Sequence, residues 1–217
     1  MSGATPPHAP GDERRSARKR RAILDAATEA FLRNGYRGTS MDEIAAQAGV
    51  SKQTVYKHFA DKERLFAEIV TGAVDEAADP VYEEVLELED SGDVEADLRR
   101  LARQLLVRVM QPRILQLRRL VIGEAGRFPE LGRTFYEQGP GRTIAALATA
   151  FEGFAARDVL DLDDPRLAAA HFNWLVMSIP LNQAMLLGQD EPPSRAQLNR
   201  YADAGVRAFL RAYGPRA

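Results

Sequence analysis

The stretch Met41 to Phe59 restricts the fold more than any other part of this 217-residue chain. Met41, Ile44, Ala45 and Ala48 recur at i, i+3, i+4 and i+7, so a short helix shows one apolar stripe. Gly49 follows where a helix C-terminus favours a residue that takes the left-handed backbone without a Cβ penalty. Ser51 suits an N-cap, its hydroxyl accepting from the amides of Gln53 or Thr54, while Val50, Val55 and Phe59 supply apolar contacts back to the first helix. Two short helices across a tight glycine turn predict a helix-turn-helix.

Lys52, Gln53, Thr54, Tyr56, Lys57 and His58 make the second of these helices unusually polar for a segment anchored by apolar residues on both sides. In a helix-turn-helix the N-terminal residues of the second helix meet base edges and the flanks hold phosphates. Gln53 and Lys52 have donors for base edges, and the Thr54 methyl suits a thymine. Tyr56, His58 and Lys62 then fall to phosphate. Any one of these residues reads equally well as part of a solvated face; the cluster together calls for a polar partner.

The order F-x-x-x-G-Y-x-x-T-S-M-x-E-I-A-x-x-A-G-V-S-x-x-T-V-Y-x-H-F-x-x-K-E-x-L-F, Phe31 to Phe66, resembles the DNA-binding domain of the TetR/AcrR family of bacterial transcriptional regulators. The resemblance implies that Thr39 and Ser40 touch the DNA backbone, that Lys52, Gln53, Thr54, Tyr56 and His58 lie in or beside the groove with Lys57 in the same helix, and that Lys62 holds phosphate. It also implies a sequence-specific regulator, usually a repressor released from its operator by a small molecule. The segment Arg118 to Pro140 is similar, less specifically, to regulatory domains found in part of that family.

Composition agrees with a basic head on an acidic body. Residues 1 to 62 carry a net charge of plus four and residues 63 to 217 a net of minus six, and all four lysines lie in the first part. A protein that puts only its head on nucleic acid would be built this way. The run Arg14, Arg15, Arg18, Lys19, Arg20 and Arg21 leads into the motif and suits an arm for phosphate or minor groove. There is no cysteine, hence no disulfide or Cys-based zinc site. The start of the chain lacks the apolar core of a secretory signal and no apolar run is long enough to span a bilayer, so a cytoplasmic address is expected.

Residues 1–13, rich in Pro, Gly and small polar types, are expected to form a structureless tail, 14–77 the DNA-binding domain, and 78–217 a helical regulatory and dimerisation domain. Helical periodicity runs throughout, predicting an all-α chain of nine or ten helices. The first should span about Ala17 to Asn34 and stop at Gly35; the fourth, opened by Asp61, should reach about Ala78 before Pro80 breaks or kinks it. The helix Pro165 to Leu187 is apolar on most of its circumference and needs neighbours on several sides. The resemblance implies that the last two helices pair with a second copy, which would set two recognition helices about 34–36 Å apart on a pseudo-palindromic operator.

For a small apolar or amphipathic effector the candidate lining is Met110, Leu117, Val121, Phe135, Phe151, Phe154, Trp174 and Met177, with Glu124, His171, Asn173 and Gln183 as polar groups embedded in apolar runs. Aromatics and Met at helical spacing are far more often plain core than pocket, and embedded polar groups more often satisfy backbone groups or bond between chains. An enzyme finds little support: there is no phosphate loop, no G-x-S-x-G turn and no metal-ligand spacing, and His8, His58 and His171 stand apart, so neither a metal nor a cofactor is expected. A helical interaction module would explain the apolar C-terminal helices but would leave the polar helix after Gly49 without a purpose.

Overall fold

The computed structural model describes residues 10–90, 92–187 and 193–215, and among these every regular element is helical. The expected tail therefore falls outside the described residues over 1–9, His8 included. From Pro10 onward the chain is already helical: α1 spans Pro10–Gly38 rather than starting near Ala17, and it breaks at Gly35, whose φ of 73° is left-handed. Ile23, Ala27, Ala30 and Phe31 form its buried face.

The chain divides into two compact units, Met1–Val70 and Thr71–Ala217. In the first unit, α2 (Met41–Gln47) and α3 (Lys52–His58) pack against α1. The turn between them follows from Gly49. With φ at 65°, its amide donates to the Ala46 carbonyl at 3.2 Å and the Val50 amide donates to the Ala45 carbonyl at 3.1 Å. These are the paired bonds of a Schellman motif, which satisfies carbonyls that would otherwise end the helix unpaired. Ser40 and Ser51 cap the two helices, accepting from the Glu43 amide at 3.1 Å and the Thr54 amide at 3.2 Å. Ile44 and Val55, both fully buried, lock the pair together over a core of Phe31, Tyr36 and Phe66, whose ring centroids lie 5.0 to 5.7 Å apart.

The fourth helix, α4 (Lys62–Leu86), passes through Pro80 instead of ending near Ala78, and a 3-10 turn, Glu87–Asp90, follows it. Val74, Ala78, Val81, Val85 and Leu88 continue one buried stripe across the proline, and this burial holds the helix together where one backbone bond is missing. The boundary between the units lies within this helix at Val70/Thr71, ahead of the expected 77/78, because its turns from Ala73 onward pack with the later elements.

The second unit comprises the rest of α4, then α5 (Val94–Val109), α6 (Pro112–Glu124), α7 (Pro129–Tyr136), a π-helical turn at Glu137–Gly141, α8 (Arg142–Ala155), α9 (Pro165–Leu187) and α10 (Arg195–Tyr213). Asp93 caps α5, proline opens α6, α7 and α9, and Ser194 with Gln197 forms a capping box on α10. Its core centres on Phe151, Phe172 and Phe209, where Phe172 meets the other two rings edge-on at 88° and 83°. At Gly205 of α10 an added Cβ would meet the Leu175 carbonyl oxygen at 2.9 Å, so α9 and α10 touch backbone to backbone there.

Candidate functional site

Val55, with no exposure, and Phe59, with 3 %, fix the inner face of α3, and helical periodicity turns Lys52, Gln53, Tyr56 and Lys57 outward. Ser40, at the start of α2, is exposed too. Lys52 leans on α2, its ammonium 2.8 Å from Asp42 Oδ1, and that pairing raises its pKa. Thr54 is half-buried and its hydroxyl lies 2.8 Å from that of Ser51, leaving its methyl as the group to offer. His58, half-buried at the end of α3, has its pKa lowered first by burial and then by the charges of Arg20, Lys57 and Lys19. Arg14 through Arg21 are exposed along α1, and Arg20 pairs with Glu68 while its guanidinium covers the Phe59 ring at 5.4 Å.

Two residues expected at DNA also make hydrogen bonds within the protein. Thr39 is 2 % exposed, and its hydroxyl donates to the carbonyls of Ala30 at 3.1 Å and Gly35 at 2.9 Å, closing the broken end of α1. The Lys62 ammonium donates to the carbonyls of Tyr36 at 3.0 Å and Thr39 at 2.9 Å and lies 4.4 Å from the Tyr36 ring centroid. Both residues follow the same need: the turn after α1 leaves carbonyls inside the protein that require donors.

Within the second unit lies a mostly apolar cavity lined by Ala73, Val74, Ala78 and Val81 of α4, Leu105 and Val109 of α5, Ile114, Leu117 and Arg118 of α6, and Phe135, Gly139, Pro140, Thr143, Asn173 and Met177. Counting its mouth, it holds about 540 Å³ of atom-free space. Leu117, Phe135, Asn173 and Met177 are thus brought together. Met110, Phe151 and Phe154 are instead packed in the core, and Val121 is buried away from the cavity. Trp174 is one helical step past Asn173, which turns it outward to 37 % exposure. His171 is exposed and bonds to the Tyr213 hydroxyl. Glu124 ends α6, and Gln183 is half-buried on α9 beyond the cavity lining.

Sequence reasoning missed Arg118. The signal was present, because Ile114, Leu117, Arg118 and Val121 fall at i, i+3, i+4 and i+7, an arginine inside an apolar stripe. Its guanidinium lies 5.1 Å from the Phe135 ring centroid, its Nε is buried without a partner, and burial lowers its pKa. Asn173 has no exposure, and neither Oδ1 nor Nδ2 has a hydrogen-bond partner.

Residues 23–69 match the family of bacterial regulatory proteins described as the tetR family, and residues 96–215 match the one described as AefR-like transcriptional repressor, C-terminal domain. The chain belongs to the TetR family. A TetR-family transcriptional regulator from Mesorhizobium loti is 46 % identical over 92 % of this chain and 98 % of its own, with a TM-score of 0.84. The flavonoid-responsive regulator FrrA is 36 % identical over 93 % of this chain and all of its own, with a TM-score of 0.70. The transcriptional activator FasR of Mycolicibacterium smegmatis is 44 % identical over 66 residues, 30 % of this chain and 28 % of its own. The chain spans half or less of the length of the curated TetR-family relatives it matches. Among the described residues no helix is long and apolar enough to cross a membrane.

Proposed function

We propose that the protein is a homodimeric repressor that occupies a pseudo-palindromic operator and leaves it when a small amphipathic effector enters the cavity of the second unit. The observation that carries this reading is the outer face of α3, where Lys52, Gln53, Tyr56 and Lys57 stand exposed on a helix clamped from beneath by Val55 and Phe59. Gln53 reads a base edge. Lys52 and Lys57 neutralise phosphates, with Ser40 and Tyr56 donating hydroxyls beside them, and the arginines of α1 add an electrostatic arm. Lys62, with one donor left beyond its two carbonyls, stands behind these exposed groups.

The pairing surface is a stripe on α9. Leu167, His171, Trp174, Leu175, Ile179, Asn182 and Leu186 are exposed at helical spacing, while Ala168, Phe172, Val176 and Leu181 face the core. A second copy laid on this stripe, with Ala204 and Ala208 of α10 allowing close approach, buries apolar groups that water otherwise wets. Repression is favoured by the repressor description of the C-terminal family, and effector control by the likeness to a flavonoid-responsive regulator. A regulator acting on bacterial DNA would work in the cytoplasm.

The coupling runs through α4, the one helix shared by both units. Its first turn holds the carbonyls of Tyr36 and Thr39 through Lys62, and its turns at Ala73, Val74, Ala78 and Val81 line the cavity. An effector that prefers one setting of this helix must shift operator affinity by the same factor by which DNA shifts effector affinity. Selection from random duplexes, followed by titration of the recovered site against salt, tests the reading. A palindromic site and a steep fall of log K with log salt are expected; recovery of no sequence, with a flat salt dependence, overturns it.

A further inference from the structure

Two polar groups from different helices point into one apolar cavity, and neither has a partner there. Arg118 comes from α6 with its Nε buried and unpaired, and Asn173 comes from α9, fully buried, with both amide atoms unpaired. Folding alone does not favour this arrangement, because Arg118 is half-buried and its buried Nε has no acceptor, and the Phe135 ring at 5.1 Å offsets only part of that cost. An arginine has donors and no acceptor, so whatever completes it must accept. The Nε edge of a guanidinium can grip an oxyanion with two parallel bonds. No carboxylate lines the cavity to compete with a bound anion, and Thr143, the other polar residue there, lies 3.4 Å from the Gly139 carbonyl and donates to it.

Resting on the reading of this cavity as the effector site, we propose that its ligand is an amphipathic monoanion: a slim apolar body against α4 and Phe135, a carboxylate on Arg118, and a hydrogen-bonding group facing Asn173. Most of the roughly 540 Å³ of atom-free space belongs to the open mouth, so the enclosed part is smaller than a site holding a drug-sized ligand. Entry of such an acid therefore pushes on the lining turns of α4, and charge recognition at Arg118 supplies binding energy to offset that displacement.

The test uses the full-length protein and matched probes, benzoate, 2-naphthoate and decanoate with their neutral amides, titrated by calorimetry. At least one acid should bind about ten- to a hundredfold more tightly than its amide, the range expected of a charge-assisted hydrogen bond. Arg118→Met should abolish that preference, and Asn173→Leu should weaken the acid about tenfold while keeping it. Without ligand, Arg118→Met should raise the melting midpoint by about 2–4 °C, where an arginine kept for structure would lower it. Equal binding of acids and amides, no binding by any acid, a preference that survives Arg118→Met, or a lowered midpoint each overturns the proposal. Release of the selected duplex is read separately. Arg118-dependent acid binding that leaves DNA affinity unchanged upholds this inference and defeats the release model; release by an amide with no acid preference does the reverse.

Discussion

Lys62 and Thr39 carry donors that sequence reading assigned to DNA and that the fold also engages within the protein. Both can bond to phosphate, but carbonyls of the protein engage the Thr39 hydroxyl and two of the three N–H donors of Lys62. Those partners lie up to 26 positions away along the chain, and nothing in a local pattern reports which carbonyls a fold will strand inside. Lys62→Ala should therefore lower the stability of the head by about 1–2 kcal/mol in urea denaturation, while Gln53→Ala leaves stability unchanged and alters sequence preference in a competition assay. A stable Lys62→Ala protein that merely binds all DNA more weakly would return the residue to phosphate. His58 gives a pH signature. Its folded pKa lies below the ordinary value of about 6.5, so the unfolded chain binds the proton more readily. The stability it contributes is whole above that value and is lost as pH falls through the folded pKa. A nearby phosphate reverses the preference, so DNA affinity should rise over the same window, and His58→Gln should flatten both trends in urea and DNA titrations.

At the scale of elements, the helix-turn-helix was legible because every one of its devices is local: an apolar stripe, a left-handed glycine and two serine caps. The length of α4 was not, since the burial that carries it across Pro80 is supplied by partners distant in sequence. The cavity was half legible. Asn173 stood out as an amide in an apolar run, whereas Phe151 and Phe154 could be sorted from Phe135 only by knowing which helices face them. Contact between α9 and α10 turns on Gly205, where a methyl group would strike the Leu175 carbonyl at 2.9 Å and the Val176 Cα at 3.0 Å. Backbone atoms cannot rotate aside. Gly205→Ala should force the two helices apart and lower stability by about 1–3 kcal/mol in thermal or chemical melts; an unchanged melt would show that the contact is looser than it stands here.

For the whole molecule, the division of charge into a positive first part and a negative remainder was plain from composition, and so was the all-helical class. Which face of α9 stays outside was not, because the sequence is apolar nearly all round that helix and only packing separates the stripe of Leu167, Trp174, Leu175 and Ile179 from the core. Ile179→Asp should leave the fold intact and give a protein of single-chain mass in ultracentrifugation. Trp174 is the chain's only tryptophan and sits on that stripe, so its emission reports the event: diluting the wild type should shift it to the red, and the aspartate variant should begin there. The same greasy seam has a quieter corollary for anyone handling the protein. A fold that gains stability from pairing has no fixed temperature of unfolding; it climbs with the amount of protein in the tube.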